Sequence, residues 1–293
     1  MKRIAFLVAA MLAIPAHANT PSLRVNGVRL PDGTSAPSGV FNVKNPEWGC
    51  VGDGVTDDTT CIQDVVTAAK VATGTTTGIT IYFPIGKYLV TSPINLQSSQ
   101  NIRLEGASGL GAGFGGGSSF TPGSTIIYSG TGSTAFLQLN SSFGSVITKL
   151  AILYSSSSFT GVLINYDGTG GSDSTYNIID QCLLGSTQAG AWNAKALVSW
   201  NRSDFNVLKN SHLQGAMAGV RFRETSSDYA NSNRIEDCIF RDFQTGHIMN
   251  AANQEIVSGC VFEGNVHQGP PTSAPAYTTD ITTEGLEIGR AHV

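Results

Sequence analysis

Charge is scarce in this sequence. Asp, Glu, Lys and Arg make up 13% of its 293 residues, about half the usual share. The 17 basic and 21 acidic residues give a net charge of −4, which leaves no basic footprint for nucleic acid. An acidic polysaccharide is not excluded, because a local basic strip would hold one. Long apolar runs are also missing: the run from Ile4 to Ile14 is too short to cross a bilayer, and no later stretch is longer. Of the five cysteines, Cys50 and Cys61 lack metal-ligand spacing and have no accompanying His pair, so no metal site is expected there. The glycine-rich run Gly106–Ser119 has no Lys-Ser or Lys-Thr ending, so it is not a phosphate-binding P-loop; it reads as a long corner insertion.

What the sequence does have is a repeat. Asn177-Ile-Ile-Asp-Gln-Cys182-Leu-Leu184, Asn206-Val-Leu-Lys-Asn-Ser211-His-Leu213, Asn233-Arg-Ile-Glu-Asp-Cys238-Ile-Phe240 and Glu255-Ile-Val-Ser-Gly-Cys260-Val-Phe262 follow one pattern at offsets of 29, 27 and 22 residues. A period of that size argues for a solenoid. Each copy holds two short pieces of period-two alternation, which means strands. Ile179, Leu208, Ile235 and Val257 then share one inward position, Cys182, Ser211, Cys238 and Cys260 a second, and Leu184, Leu213, Phe240 and Phe262 a third. A further apolar piece follows some copies, Gly219–Phe222 and Gly246–Met249. Three short strands per turn, with glycine and polar residues at the corners, describe an all-β fold, the parallel β-helix. An antiparallel sandwich is the alternative, and it does not explain like residues at like positions.

The chain begins with Lys2 and Arg3, the apolar run, Pro15 and Ala16-His17-Ala18, the pattern of an export signal over residues 1–18. Residues 19–40 read as an arm or linker and residues 41–286 as the β-helix domain. Residues 287–293, Glu-Ile-Gly-Arg-Ala-His-Val, match translated sequencing-adaptor DNA. The domain is therefore expected to be truncated there. Export to the periplasm or the extracellular space opens an oxidising compartment. Cys182, Cys238 and Cys260 read as small core fillers, and Cys50 and Cys61 as the disulfide pair.

Between the arm and the repeats, Ile62, Val65, Val66 and Ala69 lie on one helical face, with Thr56 or Asp57 as its cap. Strands follow near 79–84, 86–90 and 101–104. A helix placed there closes the open end of a solenoid. Asp53, Asp57 and Asp58 read as turn and cap residues ahead of metal ligands. Gly52-Asp-Gly-Val-Thr-Asp-Asp-Thr59, Ile62-Gln63, Ile81-Tyr-Phe-Pro84-x-Gly86-x-Tyr88 and Ile102-x-Leu104-x-Gly106 together resemble the amino-terminal signature of the pectate-lyase superfamily domain. Rhamnogalacturonase-like and epimerase-like proteins, exo-glucanases and phage tailspikes share that domain. The resemblance covers roughly residues 41 to 106 and implies a right-handed, pectin-lyase-like β-helix with an N-terminal capping helix.

The resemblance also implies a substrate groove along one sheet, with the reacting groups on its outer face or edge loops. The strand at Gly219–Phe222 is the candidate, because alternation sends Arg221 and Arg223 outward. Two guanidiniums there would grip uronate carboxylates. Glu224, Asp242 and His247 lie near strand ends as catalytic candidates, and Trp200 and Asp167 are substrate-binding candidates. Asp180, Lys209 and Glu236 share one repeat position and Gln214, Arg241 and Glu263 another, so these read as cross-strand ladders and not as catalysts. Hydrolysis would use Glu224 and Asp242 as a carboxyl pair. Elimination would use Arg221 or Arg223, with Ca²⁺ as the implied cation. No paired-Asp, Gly-His-Gly or Arg-x-Lys set is present, which counts against a polygalacturonase.

Three functions stay open from sequence. The leading one is a secreted polysaccharide-degrading enzyme, lyase or glycosidase, whose partner is its polysaccharide substrate rather than nucleic acid or, once the signal is cleaved, a membrane. The second is a non-catalytic carbohydrate-binding or adhesin-like β-helix. The third is a phage-tail-type depolymerase, which would be a trimer; the export signal speaks against it.

Overall fold

The computed structural model describes residues 28–29, 35–36, 39–73, 78–108, 123–168, 173–187, 192–222, 230–249, 255–263 and 286–289. The signal expected over 1–18 and most of the glycine-rich run lie outside them. The chain divides into two units, residues 1–38 and 39–293. In the first, Val28–Arg29 pairs antiparallel with Ser35–Ala36.

The second unit is a right-handed parallel β-helix with one helix at its N-terminal end. Strands such as Ile102–Gly106, Ile178–Asp180, Val207–Lys209 and Glu255–Ser258 alternate in burial, whereas Ala151–Tyr154 and Ala196–Asn201 are buried on both faces. Each strand pairs in parallel with its equivalent one turn away. The first sheet contains Ile102–Gly106, Val146–Thr148, Ile178–Asp180, Val207–Lys209, Arg234–Glu236 and Glu255–Ser258 in that order. Leu286–Gly289 adds to it beyond Glu255–Ser258, so residues 287–289 of the expected adaptor tail lie in that strand. The second sheet runs through Gly86–Val90, Ser124–Tyr128, Ala151–Tyr154 and Leu183–Ser186. The third runs through Ile94–Asn95, Leu137–Gln138, Val162–Asp167 and Ala196–Asn201. Two long strands, His212–Arg221 and Ile239–Met249, join these sheets. The first half of His212–Arg221 pairs with Leu183–Ser186 and the second half with Ala196–Asn201. The sequence expects a break there; the structure bends one continuous strand around the corner.

The repeat's inward columns are the core. Ile179, Leu208, Ile235 and Val257 are buried in register, as are Cys182, Cys238 and Cys260, whose thiols are free, and Leu184, Leu213 and Phe240. Phe262 is only partly buried and stacks on Phe240 at 5.2 Å. Left-handed residues turn the chain between the first and second sheets at one recurring place, Lys149, Gln181, Asn210, Asp237 and Gly259. One residue in that region redirects the backbone sharply, which Asn, Asp and Gly tolerate best.

The polar residue that opens each copy is also buried. Asn206 Oδ1 accepts from the backbone N and the Nδ2 of Asn177, each at 2.9 Å. Asn233 Oδ1 accepts likewise from Asn206, at 2.9 and 3.0 Å. This internal ladder satisfies backbone groups that a tight corner would otherwise leave unpaired. Glu255 takes the next rung with no solvent exposure. Its Oε1 accepts from Asn233 Nδ2 at 3.3 Å, and burial pushes its carboxyl up to about 9.

The helix Thr59–Thr73 buries Ile62, Val65, Val66 and Ala69. Asp57 caps it by accepting from Thr59 N at 3.0 Å. Asp58 is buried and accepts from Val51 N and Gly52 N at 2.7 and 3.0 Å, while Asp53 accepts from Val55 N and Thr56 N. These carboxylates hold the cap together. Cys50 and Cys61 form a disulfide across that loop.

Candidate functional site

The outer face of the second sheet carries a charged cluster on the turns that hold His212–Arg221 and Ile239–Met249. Alternation along His212–Arg221 sends Leu213 into the core and His212 and Gln214 outward. The register stacks Gly185, Gln214, Arg241 and Glu263 in one column and Leu183, His212 and Ile239 in the next. Gly185 is needed there, because a Cβ would fall 2.4 Å from the Gln214 carbonyl oxygen. Its missing side chain leaves a step in the column above Gln214.

Asp242 follows Arg241 in a left-handed conformation, φ 53°, uncommon for a residue other than glycine. Three neighbours meet it. Gln214 Nε2 donates to its Oδ2 at 3.2 Å, Arg241 Nε lies 3.9 Å from the same oxygen, and Trp192 Nε1 donates to its carbonyl oxygen at 3.0 Å. Arg241 Nε also lies 3.8 Å from Glu263 Oε2, so one guanidinium stands between two carboxylates. Burial, aided by the positive charge of Arg241, lowers His212 to about 4. Its imidazole is neutral at physiological pH.

The residues expected to form the site do not gather in one place. Asp242 belongs to the cluster just described. Arg221 and Asp167 lie on the outer face of the third sheet: Val198 pairs inward with Val220, which turns Ser199 and Arg221 outward, and Asp167 is in register with Asn201. Arg223 and Glu224 fall outside the described residues. His247 lies within the strand Ile239–Met249, but its side chain is outside what is described. Trp200 is a correction: it is fully buried and packs against Phe222 at 5.4 Å, because its place in the alternation is inward, so it presents no face to a sugar. The tryptophan beside the cluster is Trp192.

Sequence reasoning missed His212 and Trp192 and set Arg241 aside as a ladder residue. His212 had a readable signal, since the seventh place of the other copies is Leu183, Ile239 or Val261 and an imidazole stands alone among them. Trp192 had none, because its contact crosses two turns. Gln214, Arg241 and Glu263 do form the expected cross-strand column, and that column is what brings a guanidinium to Asp242. Two carboxylates held about a guanidinium do not supply the six to eight oxygens that Ca²⁺ takes; the positive charge in this cluster is Arg241.

The family described as Rhamnogalacturonase A/epimerase, pectate lyase-like matches residues 40–270. The DFA-IIIase of Arthrobacter chlorophenolicus A6, solved in complex with GF2, superposes with a TM-score of 0.56 at 15% identity, over 76% of this chain and 59% of its own. An alginate lyase from Paenibacillus sp. str. FPU-7 gives 0.47 at 16% identity, over 67% of this chain and 64% of its own. The Plasmin and fibronectin-binding protein A of Streptococcus pneumoniae is 41% identical over 58 residues, 20% of this chain and 8% of that protein. The chain thus spans less than two thirds of each of these proteins.

Proposed function

Because this chain belongs to the rhamnogalacturonase A/epimerase, pectate lyase-like family, we propose that it is an exported enzyme that cleaves an acidic polysaccharide by β-elimination on the outer face of the second sheet. The observation that carries this reading is the neighbourhood of Arg241 and a neutral His212. Elimination next to a uronate carboxylate needs a positive group to stabilise the developing negative charge, and a base that is unprotonated at the working pH. Arg241 pairs with the carboxylate and His212 takes the proton from the adjacent carbon. The C–O bond to the leaving sugar breaks, its electron pair leaves with the oxygen, which takes up a proton from solvent, and a C=C bond forms in the remaining ring. Asp242, Gln214 and Glu263 hold Arg241 and the sugar hydroxyls in place.

The test incubates the protein with alginate, polygalacturonate and neutral glycans, following ultraviolet absorbance of the unsaturated product and new reducing ends. Both signals rising together, and both lost in Arg241→Ala and His212→Ala, is the expected result. New ends without absorbance would replace elimination by hydrolysis. A second reading, a non-catalytic adhesin, is favoured by the 58-residue match to the pneumococcal binding protein. Silence on both signals, with retention on a polysaccharide column, would decide for it.

A further inference from the structure

On the corner between the third and first sheets, three aromatic side chains line the outside of consecutive turns. Phe143, Tyr176 and Phe205 are 48%, 52% and 47% exposed. The rings of Phe143 and Tyr176 meet edge to face at 5.5 Å, and those of Tyr176 and Phe205 lie parallel, 8° apart in tilt, at 5.2 Å. Tyr176 and Phe205 sit at φ 57° and 56°, and the same rung carries Gly144 and Ser232 on the flanking turns. The corner therefore does not need an aromatic residue, and two bulky side chains occupy a left-handed position that is unfavourable for them.

We propose that this strip is a second saccharide-binding site, separate from the groove, on which a linear polysaccharide lies with the flat C–H faces of its pyranose rings against the aromatic rings. Size argues for such a narrow ligand. Three half-exposed aromatic side chains offer on the order of 300 Å², against about 800 Å² per partner for a stable protein interface. Charge argues against nucleic acid, the other ligand that stacks on aromatic strips, because that also requires a basic track. Here the strip is flanked by Asp204, whose carboxylate is fixed by accepting from Asn231 N at 2.8 Å. Thr175 and Asn231, partly exposed at the same corner, are placed to bond sugar hydroxyls.

The test is affinity electrophoresis of the whole protein through gels containing xylan, glucomannan, alginate or polygalacturonate. It compares the parent with the Phe143→Ser, Tyr176→Ser, Phe205→Ser triple variant, serine being what the next turn carries at Ser232. The parent should be retarded by at least one glycan, and the triple variant should bind that glycan about tenfold more weakly or worse while keeping a single cooperative melt. Retardation by none of the four, or equal retardation of both proteins, overturns the proposal. Retardation kept in the triple variant and lost in Arg241→Ala assigns binding to the groove and also overturns it. Turnover is read separately on the same proteins, so failure of the elimination reading leaves this test intact. Should the triple variant not fold, Phe205→Trp reports instead: its indole emission should change saturably with the retarding glycan by clearly more than that of the parent, whose Trp192 lies beside the groove. A change no larger than the parent's overturns the strip.

Discussion

The indole of Trp192 donates to the carbonyl oxygen of Asp242 at 3.0 Å across 50 residues of sequence. It ties the connection that precedes Ala196–Asn201 to a strand two turns further along. Asp242 is at that point left-handed, so the bond helps hold a backbone conformation that the residue would not choose alone.

Trp192→Phe should keep the ring and remove the donor. We expect a loss of about 1 kcal/mol in urea unfolding, the usual worth of one partly buried hydrogen bond, and a fall in kcat larger than any rise in KM. A change confined to stability would make the contact purely architectural.

His212 is lowered to about 4 by burial first and by Arg241 second. Between pH 6.5 and 4 the unfolded chain takes up a proton that the native site refuses, so stability must fall as pH drops through that window and level off below it. His212→Gln should lack this slope in denaturation midpoints measured across the range. The acid limb of kcat/KM should inflect near 4 in the parent, and an inflection near 6.5 would take His212 out of the base role.

Glu255 runs the other way. Burial, the largest cause, raises its carboxyl to about 9, so the native state keeps a proton that the unfolded state loses above about 4.5. Stability is therefore lost as pH rises from about 4.5 to about 9. Glu255→Gln preserves the shape and a donor and should be more stable than the parent at pH 8 while nearly matching it at pH 4. Equal pH profiles for the two proteins would contradict the buried, protonated carboxyl.

Asn206 occupies the middle of the internal ladder, accepting from Asn177 and donating to Asn233 Oδ1 and Ser174 O. Asn206→Ala strips buried donors and acceptors of partners on two turns at once. A loss of about 3 kcal/mol or more is expected, read as a drop in the urea midpoint, with Asn206→Ser recovering only part of it. A loss below about 1 kcal/mol would mean water replaces the rung.

The sequence by itself determined the solenoid, its inward columns, the capping helix and the pairing of Cys50 with Cys61. In a parallel β-helix each turn repeats its neighbour's register, so a residue's place in the repeat is its place in space. Ile179, Leu208, Ile235 and Val257 could be read as one column for that reason, and so could Gln214, Arg241 and Glu263. Tertiary structure decided what lies outside the columns. Trp200 differs from an outward residue only by the phase of its strand, and a one-residue shift in phase moves a side chain from solvent to core. Trp192 reaches Asp242 from a connection with no repeat, and Phe143, Tyr176 and Phe205 become one strip only when the corners stack about 5 Å apart, the strand spacing of a sheet. Contacts of that kind depend on how turns and connections cover one another, and a one-dimensional pattern does not carry it.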